Sequence, residues 1–250
     1  MLKKKEISSL NSQIKSCFNC NLSKTRKKSI CGEGNLDTKI MLIAQAPGIQ
    51  EDIEGKMFIG PSGQILNELL KEANIKRIDI YMTNLIKCIL PKYRKPKKNE
   101  IKSCSQYLDR EIEIINPPIL VPLGFQAIEY VFTKYNQTVP SKDEYHSLFG
   151  NLYLTPNKKI LPLPHPATLL HHRSLKEEVK DYYYKLSIIL KECKWYRVCP
   201  MKFLYEQRKI PKSWVELYCK GDWFSCVRFH MEEEGKYHSD RMLPDGTHLE

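Results

Sequence analysis

Eight of the nine cysteines fall into two sets of four. Cys17, Cys20, Cys88 and Cys104 read C-x2-C, a long gap, then C-x15-C. Four thiolates with no histidine suit a [4Fe–4S] cluster or a zinc ion, whereas a CxxC pair alone is as often a redox pair or two buried thiols. Cys193, Cys199, Cys219 and Cys226 read C-x5-C-x19-C-x6-C. Those gaps are wider than the C-x2–4-C pairs of zinc knuckles. A second iron–sulfur cluster is favoured there over zinc, and inert thiols are the minor reading. Cys31 is left over. A second group of reactive types surrounds a turn at Ala46-Pro47-Gly48: the carboxylates Glu51 and Asp52, then Phe58, then Gly60-Pro61-Ser62-Gly63. Carboxylates so placed can do acid–base work. Asn84 and His165 complete the candidates. Singly, such an asparagine is a turn former, such a phenylalanine is core and a histidine before proline is a loop residue.

The elements that must hold these residues follow from periodicity. Ile40–Ala44 is an apolar run short enough for a buried strand. Helical spacing follows over 62–73, with Ser62 as a candidate N-cap. Strands are expected at 78–83, 119–123 and 160–163, and helices at 99–115, 125–132 and 175–190; residues 135–147 read as loop. Alternating strands and helices predict an α/β fold, a three-layer sandwich around a central four-stranded parallel sheet. In such sheets, sites lie at the loops after the strands. The composition changes near residue 192. Residues 193–250 hold all three tryptophans and four cysteines. They are read as a small, metal-stabilised domain beside one of residues 1–192, because so short a segment makes a thin core. Trp195-Tyr196 can stack on bases or build that core.

Net charge is +11 and unevenly spread. Eight basic residues oppose Glu6 within residues 1–30, and Lys87, Lys92, Arg94, Lys95, Lys97 and Lys98 form an acid-free run. Residues 193–250 are nearly neutral, with ten bases and nine acids. Phosphate is the natural partner of the basic part. No apolar run is long enough to span a membrane and no secretory signal is visible, so a cytoplasmic monomer without membrane association is expected, with metal-bound cysteines rather than disulfides.

Five motifs in order carry a resemblance over about residues 13–190. They are Cys17/Cys20; Ala44-Gln45-Ala46-Pro47-Gly48-Ile49-Gln50-Glu51-Asp52; Met57-Phe58-Ile59-Gly60; Thr83-Asn84-Leu85-Ile86-Lys87-Cys88 followed by Cys104; and His165-Pro166-Ala167. The chain resembles the family 4 (iron–sulfur) uracil-DNA glycosylases. The resemblance implies a uracil-DNA glycosylase-like fold and a [4Fe–4S] cluster, rather than zinc, on Cys17, Cys20, Cys88 and Cys104. It also implies monofunctional excision of uracil from single- or double-stranded DNA.

An enzyme acting on a base must flip it from the stack. On this reading Ala46, Gly48, Phe58, Asn84 and His165 bind uracil. Phe58 stacks on the ring and the Asn84 amide reads its edge, with cytosine rejected for lack of partners. His165 donates to O2 of the departing base. Gln45, Glu51, Asp52 and His165 are the catalytic candidates. The family usually has Gly-Glu where this chain has Ala44-Gln45. Gln45 can orient water but cannot take its proton, so either a cation-like sugar makes a base less necessary or Glu51 or Asp52 supplies the carboxylate. Glu51 can instead exclude the thymine methyl. Ser62, Gly63, Lys92, Arg94, Lys95, Leu169 and Arg173 are the DNA-binding candidates, with Leu169-Leu170 either a wedge into the stack or helix packing. A related branch traps DNA covalently through a histidine after the third cysteine; residues 89–98 contain none, so turnover is expected. The alternative is an iron–sulfur nucleic-acid-binding protein of this fold with weak or altered activity because of Gln45.

Overall fold

The computed structural model describes residues 2–249. The first element, a helix that the sequence reading passed over, is α1 (Leu2–Lys15), whose buried Ile7, Leu10 and Ile14 recur at helical spacing and seat its lysine-rich face outward. Next come β1 (Glu33–Gly34), β2 (Ile40–Ala44), α2 (Ile49–Glu54) and α3 (Pro61–Glu72). Then follow β3 (Tyr81–Asn84), α4 (Lys98–Ile115), β4 (Ile119–Pro122), α5 (Phe125–Lys134), β5 (Tyr153–Leu154) and β6 (Lys159–Ile160). Helices α6 (Thr168–His171) and α7 (Lys176–Ile189) end this part.

The sheet runs β1-β3-β2-β4-β6-β5. Its four central strands are parallel, as expected; β1 and β5 add antiparallel edges, so the sheet is mixed. Both edges are two residues long, too short for a sequence period to reveal. Strand β3 starts later than expected, because Arg77–Asp79 forms a 3-10 turn that leaves Ile78 exposed.

Strand β2 explains the layering. All five residues are buried, as a central parallel strand requires. Met41 and Ile43 enter one apolar cluster with α1, α4 and α5, while Ile40, Leu42 and Ala44 enter another with α3 and α7. Each fully buried aliphatic chain contributes about 1.5–3 kcal/mol.

Residues 193–249 form their own cluster, with Tyr196, Met201, Ile210, Val215, Cys219 and Leu243 at its centre. Its helices are α8 (Pro200–Glu206), α9 (Lys212–Trp214, continuing into a π-helical turn at Val215–Cys219) and α10 (Val227–Glu233). The unit packs where the parallel strands begin. Lys159 at the start of β6 pairs with Glu216 at 2.9 Å and donates to the Lys220 carbonyl at 2.6 Å; Trp223 Nε1 donates to the Ile188 carbonyl at 3.0 Å. No described helix is long and apolar enough to cross a membrane.

Candidate active site

A cleft of about 840 Å3 opens at the opposite end, where the parallel strands finish. Each of the four parallel strands delivers a loop to it. After β2 come Gln45–Glu51, after β3 Leu90 and Tyr93, after β4 Leu123–Gln126, and after β6 His165; Pro61 and Ser62 of α3 and Leu170 and His171 of α6 close the rim.

His165 has the most informative geometry. Its Nδ1 accepts the Ala167 backbone N–H at 3.1 Å. An accepting Nδ1 carries no proton, so the neutral ring bears its hydrogen on Nε2. Burial lowers the His165 pKa to about 4, against a smaller opposing pull from Glu51. The ring is therefore a neutral donor at physiological pH. The buried Tyr183 hydroxyl donates to the Pro164 carbonyl at 3.2 Å and fixes the turn that carries it.

Phe58 lies 6.1 Å from the His165 ring, centroid to centroid, with the planes tilted by 32°. Its backbone is left-handed at φ 48°, which is costly for a non-glycine residue. Three contacts hold it there. Arg77 donates to the carbonyls of Met57 (2.6 Å) and Phe58 (3.1 Å), and Gly63 lies so close that a Cβ there would sit 1.9 Å from the Phe58 oxygen. Gly63 is thus required for packing. It is buried and its N–H is spent on the Gly60 carbonyl, which contradicts the phosphate role expected of it. Ser62 is not the N-cap; Gly60 is, with Pro61 at the first helical position, where its missing N–H costs nothing.

The two neighbouring acids part company because residues 49–54 are helical rather than loop, which points successive side chains about 100° apart. Glu51 lines the cleft, and its Oε1 accepts the N–H groups of Ile59 (2.9 Å) and Gly60 (2.8 Å). A Cβ at Gly48 would sit 2.6 Å from Glu51 Oε2, so a side chain there would shift the carboxylate. Asp52 turns away. It is buried outside the cleft lining and accepts the Lys27 N–H through both oxygens at 3.0 Å. It anchors the 27–28 segment and is no longer a catalytic candidate.

Asn84 ends β3 in register with Ala44, one residue before Gln45. It is buried, and its Nδ2 meets the Met57 sulfur at 3.2 Å. Sulfur is a weak acceptor, so this amide is cheaply redirected.

The basic loop behaves differently from its sequence reading. Lys87 is buried, 2.6 Å from both Glu111 Oε2 and Thr83 Oγ1, so it braces β3 on α4 and clamps no phosphate. Arg94 is committed to Glu100 at 2.5 and 2.8 Å, also against expectation. Lys92, Lys95 and Arg173 are exposed. Leu169 is core, whereas Leu170 is exposed in the cleft, so a wedge at this pair belongs to Leu170, and Leu169 is corrected to packing. Sequence reasoning missed Tyr93, Gln126 and Arg77. Tyr93 is exposed with φ 54°, an unfavourable backbone for a bulky aromatic. Only the rule that every strand-end loop feeds the site gave a signal for Gln126.

Cys17, Cys20, Cys88 and Cys104 line one cavity with Ile14, Leu22, Arg26 and Tyr107. Arg26 Nη1 donates to Cys88 Sγ at 3.1 Å, and the Lys87 backbone N–H to Cys104 Sγ at 3.2 Å. Burial pushes the Cys104 thiol up to about 12, so metal loading releases its proton. A single zinc ion draws four sulfurs to about 3.8 Å from one another. Among the described residues no three ligand side chains gather as a single-ion site. An all-thiol donor set with N–H donors on sulfur fits an anionic metal–thiolate centre.

Residues 31–187 match the family model of the uracil DNA glycosylase superfamily. A type-4 uracil-DNA glycosylase of Saccharolobus solfataricus is 38% identical over 179 residues, which cover 70% of this chain and 82% of the relative. One from Thermotoga maritima is 36% identical over 166 residues, 66% of this chain and 83% of the relative. One from Archaeoglobus fulgidus is 32% identical over 175 residues, 70% of this chain and 88% of the relative.

Proposed function

The chain belongs to the uracil DNA glycosylase superfamily and, within it, to the type-4 family, and we propose that it flips uracil out of DNA and excises it hydrolytically, leaving an abasic site. The observation that carries the mechanism is the His165 tautomer. With Nδ1 occupied by Ala167 N–H, the Nε2 proton is free to meet uracil O2 as the N-glycosidic bond breaks and its electron pair departs on N1. A neutral donor matches a developing anion without a proton transfer.

The opposite charge develops on the sugar. The Glu51 carboxylate, held by two backbone N–H groups, stabilises that cation-like centre. Gln45 orients the water whose oxygen then bonds C1′, and the proton that water releases passes by way of solvent to neutralise the uracil anion. Because the cation forms first, weak activation of water suffices, so a glutamine is tolerated where the family usually has glutamate. Phe58 walls the base, Asn84 exchanges Met57 sulfur for the uracil edge, and Ala46 and Gly48 line the entry. Cytosine presents the opposite donor pattern to Asn84 and leaves buried groups unpaired.

Cys17, Cys20, Cys88 and Cys104 hold a [4Fe–4S] cluster on this reading, tying the basic N-terminal segment to the end of β3 and to α4. Its contribution when bound is structural. Lys92, Lys95, Arg173 and the helix start at Ser62 face phosphate, and Leu170 and Tyr93 enter the space that the flipped base vacates.

The test uses single- and double-stranded oligonucleotides carrying one U, hypoxanthine, xanthine or T, followed by alkali. Scission at U, with T intact, is expected. DNA binding with no alkali-labile site at U would overturn the reading.

A further inference from the structure

The second cysteine set lies outside the residues that match the family, which end at 187, and the excision mechanism makes no use of it. Cys193, Cys199, Cys219 and Cys226 come from four separate places. Cys193 follows α7, Cys199 caps α8, Cys219 ends the π-helical turn and Cys226 caps α10. All four nevertheless line one cavity. The convergence is built into the backbone. The Cys193 N–H donates to the Cys219 carbonyl at 2.8 Å, and Gly221 turns the chain where a Cβ would sit 2.2 Å from the Leu217 oxygen. No disulfide joins the four.

The fifth wall carries the decisive observation. Arg228 lines the same cavity and is 2% exposed. Its Nη1 donates to the carbonyls of Ser239 (2.8 Å) and Met242 (2.7 Å), but Nε and Nη2 have no partner among the described residues. A buried guanidinium with two unpaired nitrogens is costly unless an anion faces it. Glu232 also lines the cavity, but its carboxylate is partly exposed and engaged by His238 at 2.9 Å, and four neutral thiols supply no anion. Four thiolates around a metal core do supply one, because the assembly is net negative.

Ligand spacing selects the core. The gaps of five, nineteen and six residues depart from the close C-x2–4-C pairs that hold a single zinc ion, and among the described residues no three ligands are gathered as an ion site. Trp195, Tyr196, Trp223 and Phe229 supply apolar walls to the cavity.

We propose that Cys193, Cys199, Cys219 and Cys226 bind a second iron–sulfur cluster, of the [4Fe–4S] type, with Arg228 as its buried counter-cation. The cluster is the centre on which the thin core of residues 193–250 is assembled. This inference does not rest on uracil excision.

The test is a metal count on the full chain purified without oxygen. Wild type is expected to hold about eight iron and eight acid-labile sulfide per chain and no stoichiometric zinc. Cys219→Ser and Cys88→Ser should each fall to about half. Arg228→Gln keeps all eight thiols. It should retain the iron while one of two reduction steps moves to lower potential, since a cation that favoured the reduced, more anionic state is gone. Removing the iron should raise tryptophan emission, because Trp195 and Trp223 stand against the cluster. Four iron in wild type, one zinc beside four iron, or unchanged potentials in Arg228→Gln would overturn the proposal.

Discussion

The two ends of the sheet use their polar groups in opposite ways. Where the strands finish, polar groups are left facing an open cleft: Gln45, Glu51 and His165 line about 840 Å3 of space. Where the strands begin, they are spent on protein. Lys159 closes on Glu216 and Lys220, and Trp223 closes on Ile188. Groups held ready for a ligand are expected to affect rate with little effect on stability, and groups already paired the reverse.

The largest effect is expected at the cleft. His165→Ala should lower single-turnover uracil release by about 10²–10³-fold, the usual cost of losing one donor to a developing oxyanion, with the thermal midpoint little changed. Glu51→Gln keeps an acceptor for Ile59 and Gly60 but loses the charge. It should cost about 10²-fold, against less than about 10-fold for Gln45→Ala, which only orients water. Equal losses, or the reverse order, would remove Glu51 from its place in the mechanism.

Asp52→Asn sharpens the contrast within one turn of helix. Asp52 serves backbone N–H groups and not the cleft. Its loss should cost about 1–3 kcal/mol in denaturant unfolding while the folded fraction excises at the wild-type rate. His165 also predicts a pH signature. Its pKa is lowered from 6.5 to about 4, so the unfolded chain takes up a proton that the folded chain refuses. Stability contributed by this group therefore falls as pH drops through 6.5 and levels below about 4. Subtracting the unfolding curve of His165→Gln from that of wild type isolates the effect. Smallest of all, Lys159→Ala should cost about 1 kcal/mol or less and leave uracil release unchanged.

Most of the fold was legible because buried strands and amphipathic helices impose periods. The run at 40–44 and the helical spacing at 99–115 are signals of that kind. The edge strands were not, being too short to show a period, and neither was α1, whose lysines masked three buried apolar positions. The site was legible as a set of residue types, but its geometry was not. Sequence cannot tell which of two adjacent acids faces the cleft, because the answer lies in residues 49–54 being helical. Nor can a basic run disclose that Lys87 and Arg94 are already paired with Glu111 and Glu100, which lie on α4. Arg77 was invisible for a related reason: it acts through backbone carbonyls about twenty residues away in the chain.

Hydrolytic excision makes a stoichiometric demand, and it is tested by quantifying free uracil, alkali-labile sites and heat-resistant protein–DNA adducts after full reaction of wild type with an oligonucleotide carrying one uracil. One uracil freed for each alkali-labile site, with no adduct, is the predicted result, since residues 89–98 contain no histidine to trap the sugar. Abasic DNA that stays bound to the protein after boiling, or alkali-labile sites without free uracil, would contradict it.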